Sequence, residues 1–287
     1  MNPTLTLLAA LLFGAACPAW TQAYPERTVR MVVAFTPGGA SDVIARVVGA
    51  KLGERWGHQV VVENRPGAGG GIGAEFVARS APDGHTLIMA TSSEIVINPA
   101  LNAKLAYDPV RDFAPVTLAT TAPNVLVVNI ALPAHSVKDL IALARAQPGK
   151  LNMGSSGTGS SPHLVGELFR LETGVEVVHV PYKGDVALQP ALIGGEVHFA
   201  FVSPIAALQH LKTGRLRGLA VTGLQRAAVA PDVPTMVEAG VPDFEFVGWV
   251  GFFGPAKTPR EVQLRVATET ARTLAMPDIA ERVPGWG

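Results

Sequence analysis

Short apolar runs alternate along this chain with segments in which apolar residues recur every three to four positions. Continuous apolar runs predict buried strands, here at 28–35 and 86–91, and the longer amphipathic segment 41–56 predicts a helix. The other predicted elements are strands at 58–63, 115–120, 125–129, 150–154, 175–180, 197–201, 216–221 and 247–253, and helices at 72–79, 136–146, 162–172, 186–193, 204–212, 232–239 and 258–274. This alternation is typical of parallel sheets covered by helices on both faces, so we predict an α/β fold.

Two glycine-rich loops each follow a predicted strand and precede a predicted helix. The first spans residues 35–42 (FTPGGASD), and the second spans residues 154–161 (GSSGTGSS). The first amides of a helix have no partner within it and carry a partial positive charge, and glycine lets an anion approach the backbone closely. Because neither loop contains Lys or Arg, each predicts an anion cradle made of amides and hydroxyls. The alternatives are an ordinary strand-to-helix turn and a flexible linker.

Other motifs argue against catalysis. The chain has neither a phosphate-binding Gly-Lys-Ser/Thr after these loops nor the Gly-x-Ser-x-Gly of hydrolases. Residues 67–73 (GAGGGIG) formally match a dinucleotide fingerprint, but Asn-Arg-Pro at 64–66 separates them from the strand, which favours a structural turn. Ser160 and His163 could pair as nucleophile and base, yet no orienting carboxylate is evident. We therefore predict no catalytic residue, no metal site and no cofactor.

Composition narrows the class of protein. The 287 residues carry 23 basic and 23 acidic side chains, so the net charge is zero, which argues against nucleic-acid binding. Hydrophobic residues make up 48% and charged residues 16%, a balance that excludes a disordered chain. Cys17 is the one cysteine, so no disulfide framework can form.

Residues 1–23 are predicted to be an export signal. An apolar core at 5–16 is too short to span a bilayer and is followed by small residues, with cleavage expected after Ala23. Two alternatives are a buried N-terminal helix and lipidation at Cys17. The prediction places the mature protein in an oxidising compartment outside the cytoplasm, which suits a cysteine-free chain.

Several stretches resemble one family throughout. They include YPERTVRMVVAFTPGGASDVIARVVGAKL, VVVENRPGAGGGIGAEFVARSAPDGHTL, LNMGSSGTGSSPHLVGELF and PDVPTMVEAGVPDFE. These residues resemble the Bug-type periplasmic solute-binding proteins of the tripartite tricarboxylate transporters, over about residues 24–282. The match is specific for the family and says little about the ligand.

The resemblance implies a periplasmic-binding-protein type II fold. Two Rossmann-like lobes would flank a cleft and a hinge, with lobe 1 at 24–120 and 248–287 and lobe 2 at 121–247. The chain ends sooner after residue 282 than members of the family usually do, so the C-terminal segment is expected to be shortened. Val202 stands where members usually carry Asp, which predicts a pocket suited to a less polar or aromatic carboxylate.

The resemblance also implies the function of a non-enzymatic binding protein. The protein would capture a small carboxylate, namely a dicarboxylate, an aromatic acid or an acidic amino acid, by closure of the cleft. It would act as a monomer and deliver the ligand to the membrane permease. The alternatives are a periplasmic sensor that docks to a receptor kinase and a truncated, non-functional paralogue. The expected ligand-binding residues are Phe35, Pro37, Gly38, Gly39, Ala40, Ser41, Asp42, Ser92, Ser93, Ser156, Gly157, Thr158, Gly159, Ser160, Tyr182 and Ser203.

Overall fold

The computed structural model describes residues 24–286. The predicted export signal at 1–23, including Cys17, lies outside the described residues. Within 24–286, none of the helices combines the length and the apolar character that crossing a membrane requires.

The described chain alternates strands and helices as predicted. The strands are β1 (Val29–Val33), β2 (Val60–Asn64), β3 (Thr86–Thr91), β4 (Phe113–Pro123), β5 (Val125–Asn129), β6 (Asn152–Ser155), β7 (Val178–Pro181), β8 (Phe199–Val202), β9 (Leu216–Val221) and β10 (Val247–Pro255). The helices are α1 (Ala40–Trp56), α2 (Gly71–Ala78), α3 (Asn98–Leu101), α4 (Val137–Ala146), α5 (Ser161–Thr173), α6 (Asp185–Gly194), α7 (Pro204–Lys212), α8 (Arg260–Leu274), α9 (Pro277–Ala280) and α10 (Val283–Trp286). A 3₁₀ turn at Ala68–Gly70 and a π-helix at Ser93–Ile97 complete the set.

The strands form two five-stranded sheets, each the centre of one lobe. Sheet 1 has the order β2-β1-β3-β10-β4 and defines lobe 1, and sheet 2 has the order β7-β6-β8-β5-β9 and defines lobe 2. Parallel pairing, as predicted, joins β1 to β2 and β3 and joins β6 to β7 and β8, but both sheets are mixed. In sheet 1, β10 runs antiparallel to both β3 and β4, and in sheet 2, β5 runs antiparallel to both β8 and β9.

The chain crossings between the lobes explain this mixed pattern. β1, β3, β6 and β8 end beside the cleft, because the loops that follow them line it. β4 leads through Asn124 straight into β5, so β5 begins at the cleft and runs the opposite way through sheet 2. β10 likewise begins where the chain returns to lobe 1, and Val247 pairs with Pro123 beside the first crossing.

Helices cover both faces of each sheet. In β1, Val29, Met31 and Val33 pack toward α1 and α8, whereas Val32, together with Ala34 just after the strand, packs toward α2. This alternation is the period of two that a strand imposes, and both sides of the strand are apolar except at Arg30, which is exposed. Sheet 2 repeats the arrangement with α4 and α5 on one face and α6 and α7 on the other.

Several local elements differ from the sequence prediction, among them the short helices α3, α9 and α10, which were not predicted. The helix expected at 232–239 is a series of turns, because the backbone there bonds to β9: Val221 N–H donates to Pro234 O, and Met236 N–H donates to Val221 O, both near 2.9 Å. The π-helix after β3 was not predicted, since its hydrogen-bond period leaves no clear signal in a five-residue segment.

Candidate functional site

A cavity of about 110 Å³, partly open to solvent, lies between the two lobes. Its walls come from both lobes and from the crossing strands, so no continuous stretch of sequence contains it. The lining residues are Phe35, Thr36, Gly39, Ala40, Ser41, Ile44, Thr91, Ser93, Ala122, Asn124, Ser156, Ser160, Ser161, Pro162, Gly184, Asp185, Ser203, Gly248, Trp249, Val250 and Trp286.

Four helices begin at this cavity. The N-caps are Gly39 for α1, Ser160 for α5, Gly184 for α6 and Ser203 for α7, and all four residues line the walls. The Ser160 and Ser203 hydroxyls accept backbone N–H groups within their own helices, 3.4 Å away in each case. Since every helix N-terminus leaves amides without an intrahelical partner, the cavity is surrounded by partial positive charge without a basic side chain among the lining residues described.

The lobes touch directly at the edge of this cavity. The Ser161 hydroxyl of lobe 2 lies 2.7 Å from the Ser92 hydroxyl and 3.2 Å from the Ser93 hydroxyl of lobe 1. Nearby, the Thr36 hydroxyl donates to Lys183 O at 3.2 Å. We call the hydroxyls of Ser92, Ser93 and Ser161 the interlobe serine cluster.

One acidic side chain, Asp185, lies in the wall of the cavity. Its two carboxylate oxygens accept hydrogen bonds from the hydroxyls of Ser156, at 2.5 Å, and Ser203, at 3.5 Å. Burial raises the pKa of Asp185, and these two hydrogen bonds only partly offset that effect. Asp185 was not among the predicted site residues, although it follows the same strand-to-glycine-to-helix pattern that marked the two predicted cradles.

A second acid, Glu94, is fully buried behind the wall. Its Oε2 accepts the Thr91 N–H at 2.9 Å and the Thr91 hydroxyl at 2.5 Å, while its Oε1 has no hydrogen-bond partner. Burial raises the pKa of Glu94 to about 7. Because Thr91 and Ser93 both line the cavity, Glu94 supports that part of the wall from behind.

About half of the expected ligand-binding residues line the cavity. They are Phe35, Gly39, Ala40, Ser41, Ser93, Ser156, Ser160 and Ser203. A second, neighbouring pocket of about 560 Å³ brings together Gly157, Thr158 and Tyr182 with Lys183 and the glycines of 67–70. Ser156 and Phe35 border both pockets.

Five expected residues line neither pocket and instead shape the loops, namely Pro37, Gly38, Asp42, Ser92 and Gly159. Asp42 is 2% exposed and accepts hydrogen bonds from Gly38 N–H, Arg46 and Asn64. Burial alone would raise the pKa of Asp42, but these hydrogen bonds outweigh it and lower that pKa. Asp42 therefore holds the turn at the start of α1.

Val202 does not line the cavity. Its side chain is 2% exposed and packs in the apolar cluster beneath β8. The expectation that Val202 makes the pocket less polar is therefore wrong. The pocket's apolar wall comes instead from residues distant in sequence, among them Trp249 and Trp286, which no local pattern could identify.

Ser160 and His163, the pair considered for nucleophilic catalysis, make structural contacts. Ser160 donates its hydroxyl to Gly157 O at 2.7 Å, and the His163 ring accepts Gly159 N–H through Nδ1 at 3.2 Å. The His163 ring stacks on His179 with centroids 4.1 Å apart, and burial lowers the pKa of both. Among residues 24–286, no three His, Cys, Asp or Glu side chains are grouped as a metal site would require.

Comparison with known proteins agrees with this architecture. BugT from Bordetella pertussis is 38% identical over 267 residues, which cover 91% of this chain and 82% of BugT. The structure of a Rhodopseudomonas palustris protein with adipate superposes with a TM-score of 0.89 at 38% identity, covering 92% of this chain and 88% of the other. MatC from the same organism, with bound malate, gives a TM-score of 0.88 at 33% identity, covering 92% and 90%.

The family model described as the tripartite tricarboxylate transporter family receptor matches residues 44–286. That range contains most of the two-lobed fold, three of the four helix N-termini at the cavity and both crossings between the lobes. The chain belongs to the TctC family of receptors for tripartite tricarboxylate transporters, and its relatives include Bug proteins.

Proposed function

We propose that this protein binds a small carboxylate in the interlobe cavity and delivers it to a tripartite tricarboxylate-type membrane permease. The observation that carries the proposal is the convergence of four helix N-termini on one cavity that has hydroxyls but no basic side chain among the described residues lining it. Amides and hydroxyls can together satisfy the lone pairs of one carboxylate, and closure strengthens these bonds by excluding water. The structures of relatives with adipate and malate support the same ligand class.

We assign the ligand contacts to the cavity-lining members of the two predicted loops. Gly39, Ala40 and Ser41 offer the first amides of α1 from lobe 1. Ser156 and Ser160 face them from lobe 2, and a bound carboxylate would take over their hydroxyl protons, which Asp185 and Gly157 O accept in this structure. We further propose that lobe 1 consists of residues 24–120 and 248–287 and lobe 2 of 121–247, with hinge bending at the two crossings. The protein would act in the periplasm as a monomer and perform no catalysis.

Thermal unfolding of the purified chain with a panel of mono-, di- and tricarboxylates, aromatic acids and acidic amino acids tests the ligand class. A ligand at about 100 times its dissociation constant adds ~2.7 kcal/mol of stability. No shift with any carboxylate would contradict the proposal.

The variant Gly39→Val tests the site itself. A Cβ at residue 39 would lie 3.6 Å from Thr36 O, an ordinary contact, so the fold should tolerate it while the branched side chain occupies the first cradle. We expect binding to be lost in Gly39→Val and kept in the control Gly194→Val, whose Cβ meets open space outside both pockets. Equal affinity in both variants would rule out the first cradle.

The second part of the proposal concerns delivery. Uptake of the identified ligand by cells that lack the permease should be abolished, and restoring the permease should restore it only when the binding protein is present. Unimpaired uptake without the permease would favour a sensing role instead.

A further inference from the structure

The charge balance of the interlobe cavity points to a narrower class of ligand, on the basis that the proposed function is correct. Each helix N-terminus carries about half a positive charge, so the four at the cavity together present about two. The carboxylate of Asp185 cancels about one of these. The remaining positive charge of about one favours the binding of one ligand carboxylate. A second carboxylate placed next to Asp185 would be repelled by its like charge.

Asp185 has unused capacity to accept hydrogen bonds. An ionised carboxylate offers about four acceptor sites, and the structure uses two of them, for the hydroxyls of Ser156 and Ser203. Within residues 24–286, Asp185 forms no ion pair, and no other ionisable side chain lines the cavity. A partly buried acid that forms no ion pair is costly to keep ionised, so a cation supplied by the ligand would be bound strongly.

We propose that Asp185 makes the site selective for ligands that carry a protonated amine beside one carboxylate, as an amino acid does. The carboxylate binds at the helix N-termini, and the ammonium donates to the free acceptor sites of Asp185. The side chain of such a ligand would lie against the apolar wall formed by Phe35, Ile44 and Trp249. A dicarboxylate of the same length would instead bring like charges together at Asp185.

The alternative is a purely structural role, in which Asp185 only orients the two serines that line the cavity. The conservative variant Asp185→Asn separates the two roles, because an amide still accepts a hydrogen bond yet has no charge. A structural role predicts that all ligands lose affinity by the same factor. A role in selection predicts that only the preference between ligands changes.

The experiment measures affinities by calorimetry for matched pairs that differ in the amino group. The pairs are leucine with 4-methylpentanoate, phenylalanine with 3-phenylpropanoate, and aspartate with succinate. For the wild-type chain we expect the amino member of at least one pair to bind about tenfold more tightly or better, since a charge-assisted hydrogen bond is involved. In Asp185→Asn that ratio should fall to about one, whereas the control Asp139→Asn, which alters an acid outside both pockets, should keep it.

Each outcome of this experiment either supports or overturns the selection of amino-group ligands by Asp185. Carboxylates that bind without a preference for the amino member, or a dicarboxylate without an amino group that binds best, would overturn the selection by Asp185 and leave the proposed function intact. A uniform loss in Asp185→Asn would assign Asp185 a structural role and also overturn it. If neither these pairs nor the wider carboxylate panel bind, the proposed function fails, and the inference fails with it.

Discussion

The buried Glu94 should make the stability of lobe 1 fall as the pH rises. Its side chain is fully buried in the π-helix after β3, with Oε1 unpaired and Oε2 bonded to Thr91. Burial raises its pKa from 4.5 to about 7. Between these two pH values the folded chain keeps a proton that the unfolded chain has released, so the free energy of unfolding decreases with rising pH.

The magnitude follows from the size of the shift. Each pKa unit corresponds to 1.36 kcal/mol, so a rise from 4.5 to about 7 gives about 3 kcal/mol. This stability is fully present below pH 4.5, the unfolded value, and is lost as the pH rises through about 7. The Glu94→Gln variant keeps an oxygen acceptor for Thr91 but cannot ionise. Its free energy of unfolding should therefore not show this decrease as the pH rises.

Urea denaturation followed by tryptophan fluorescence measures the effect. Trp56, Trp249 and Trp286 all belong to lobe 1, so their emission reports the lobe that contains Glu94. We expect the stability difference between Glu94→Gln and wild type to grow in favour of the variant by about 3 kcal/mol between pH 4.5 and about pH 8. The exposed Glu26→Gln serves as the control and should follow the wild-type profile. Parallel profiles for wild type and Glu94→Gln would refute the reasoning.

Two further predictions concern the contact between the lobes. In Gly184→Ala, the new Cβ would overlap the Thr36 hydroxyl oxygen, so we expect poorer closure and weaker ligand binding in calorimetry, partly restored by adding Thr36→Ala. No rescue would show that the positive φ of residue 184 alone is responsible. Ser161→Ala removes the central hydroxyl of the interlobe serine cluster, and at about 0.5–1.5 kcal/mol for a hydrogen bond the ligand should dissociate about two- to tenfold faster in stopped-flow fluorescence. An unchanged dissociation rate would mean that this cluster does not hold the lobes together.

The sequence predicted those parts of the molecule that local pattern determines. The bounds of β3 and α7 were predicted correctly, because a continuous apolar run and a Pro at the helix start mark them clearly. Both glycine-rich loops were recognised as strand-to-helix connections, because an apolar run precedes each loop and an amphipathic segment follows it. Whether their residues bind a ligand stays a prediction.

The rest depends on contacts between distant residues. The antiparallel placement of β5 and β10 follows from where the chain crosses between lobes, which apolar periodicity does not encode. Trp249 and Trp286 line the cavity because the chain returns to lobe 1 after the second crossing, which no local pattern indicates. Asp185 was overlooked for a different reason. An acid in the first turn of a helix is already explained by its favourable interaction with the helix dipole, and only the structure shows that this acid also lies in the wall of the cavity.

The position of β10 has a consequence for how the chain acquires its structure. β10 lies between β3 and β4 in sheet 1, although some 120 residues of sequence separate it from β4. Lobe 2, from β5 to β9, is continuous in sequence and has all its strands available once residue 221 has emerged. Because non-local pairings are slow and domains fold as units, we expect lobe 2 to fold first during synthesis or export. Lobe 1 then completes its sheet around the last strand to arrive, so the half of the cavity contributed by α1 is assembled on an already folded partner.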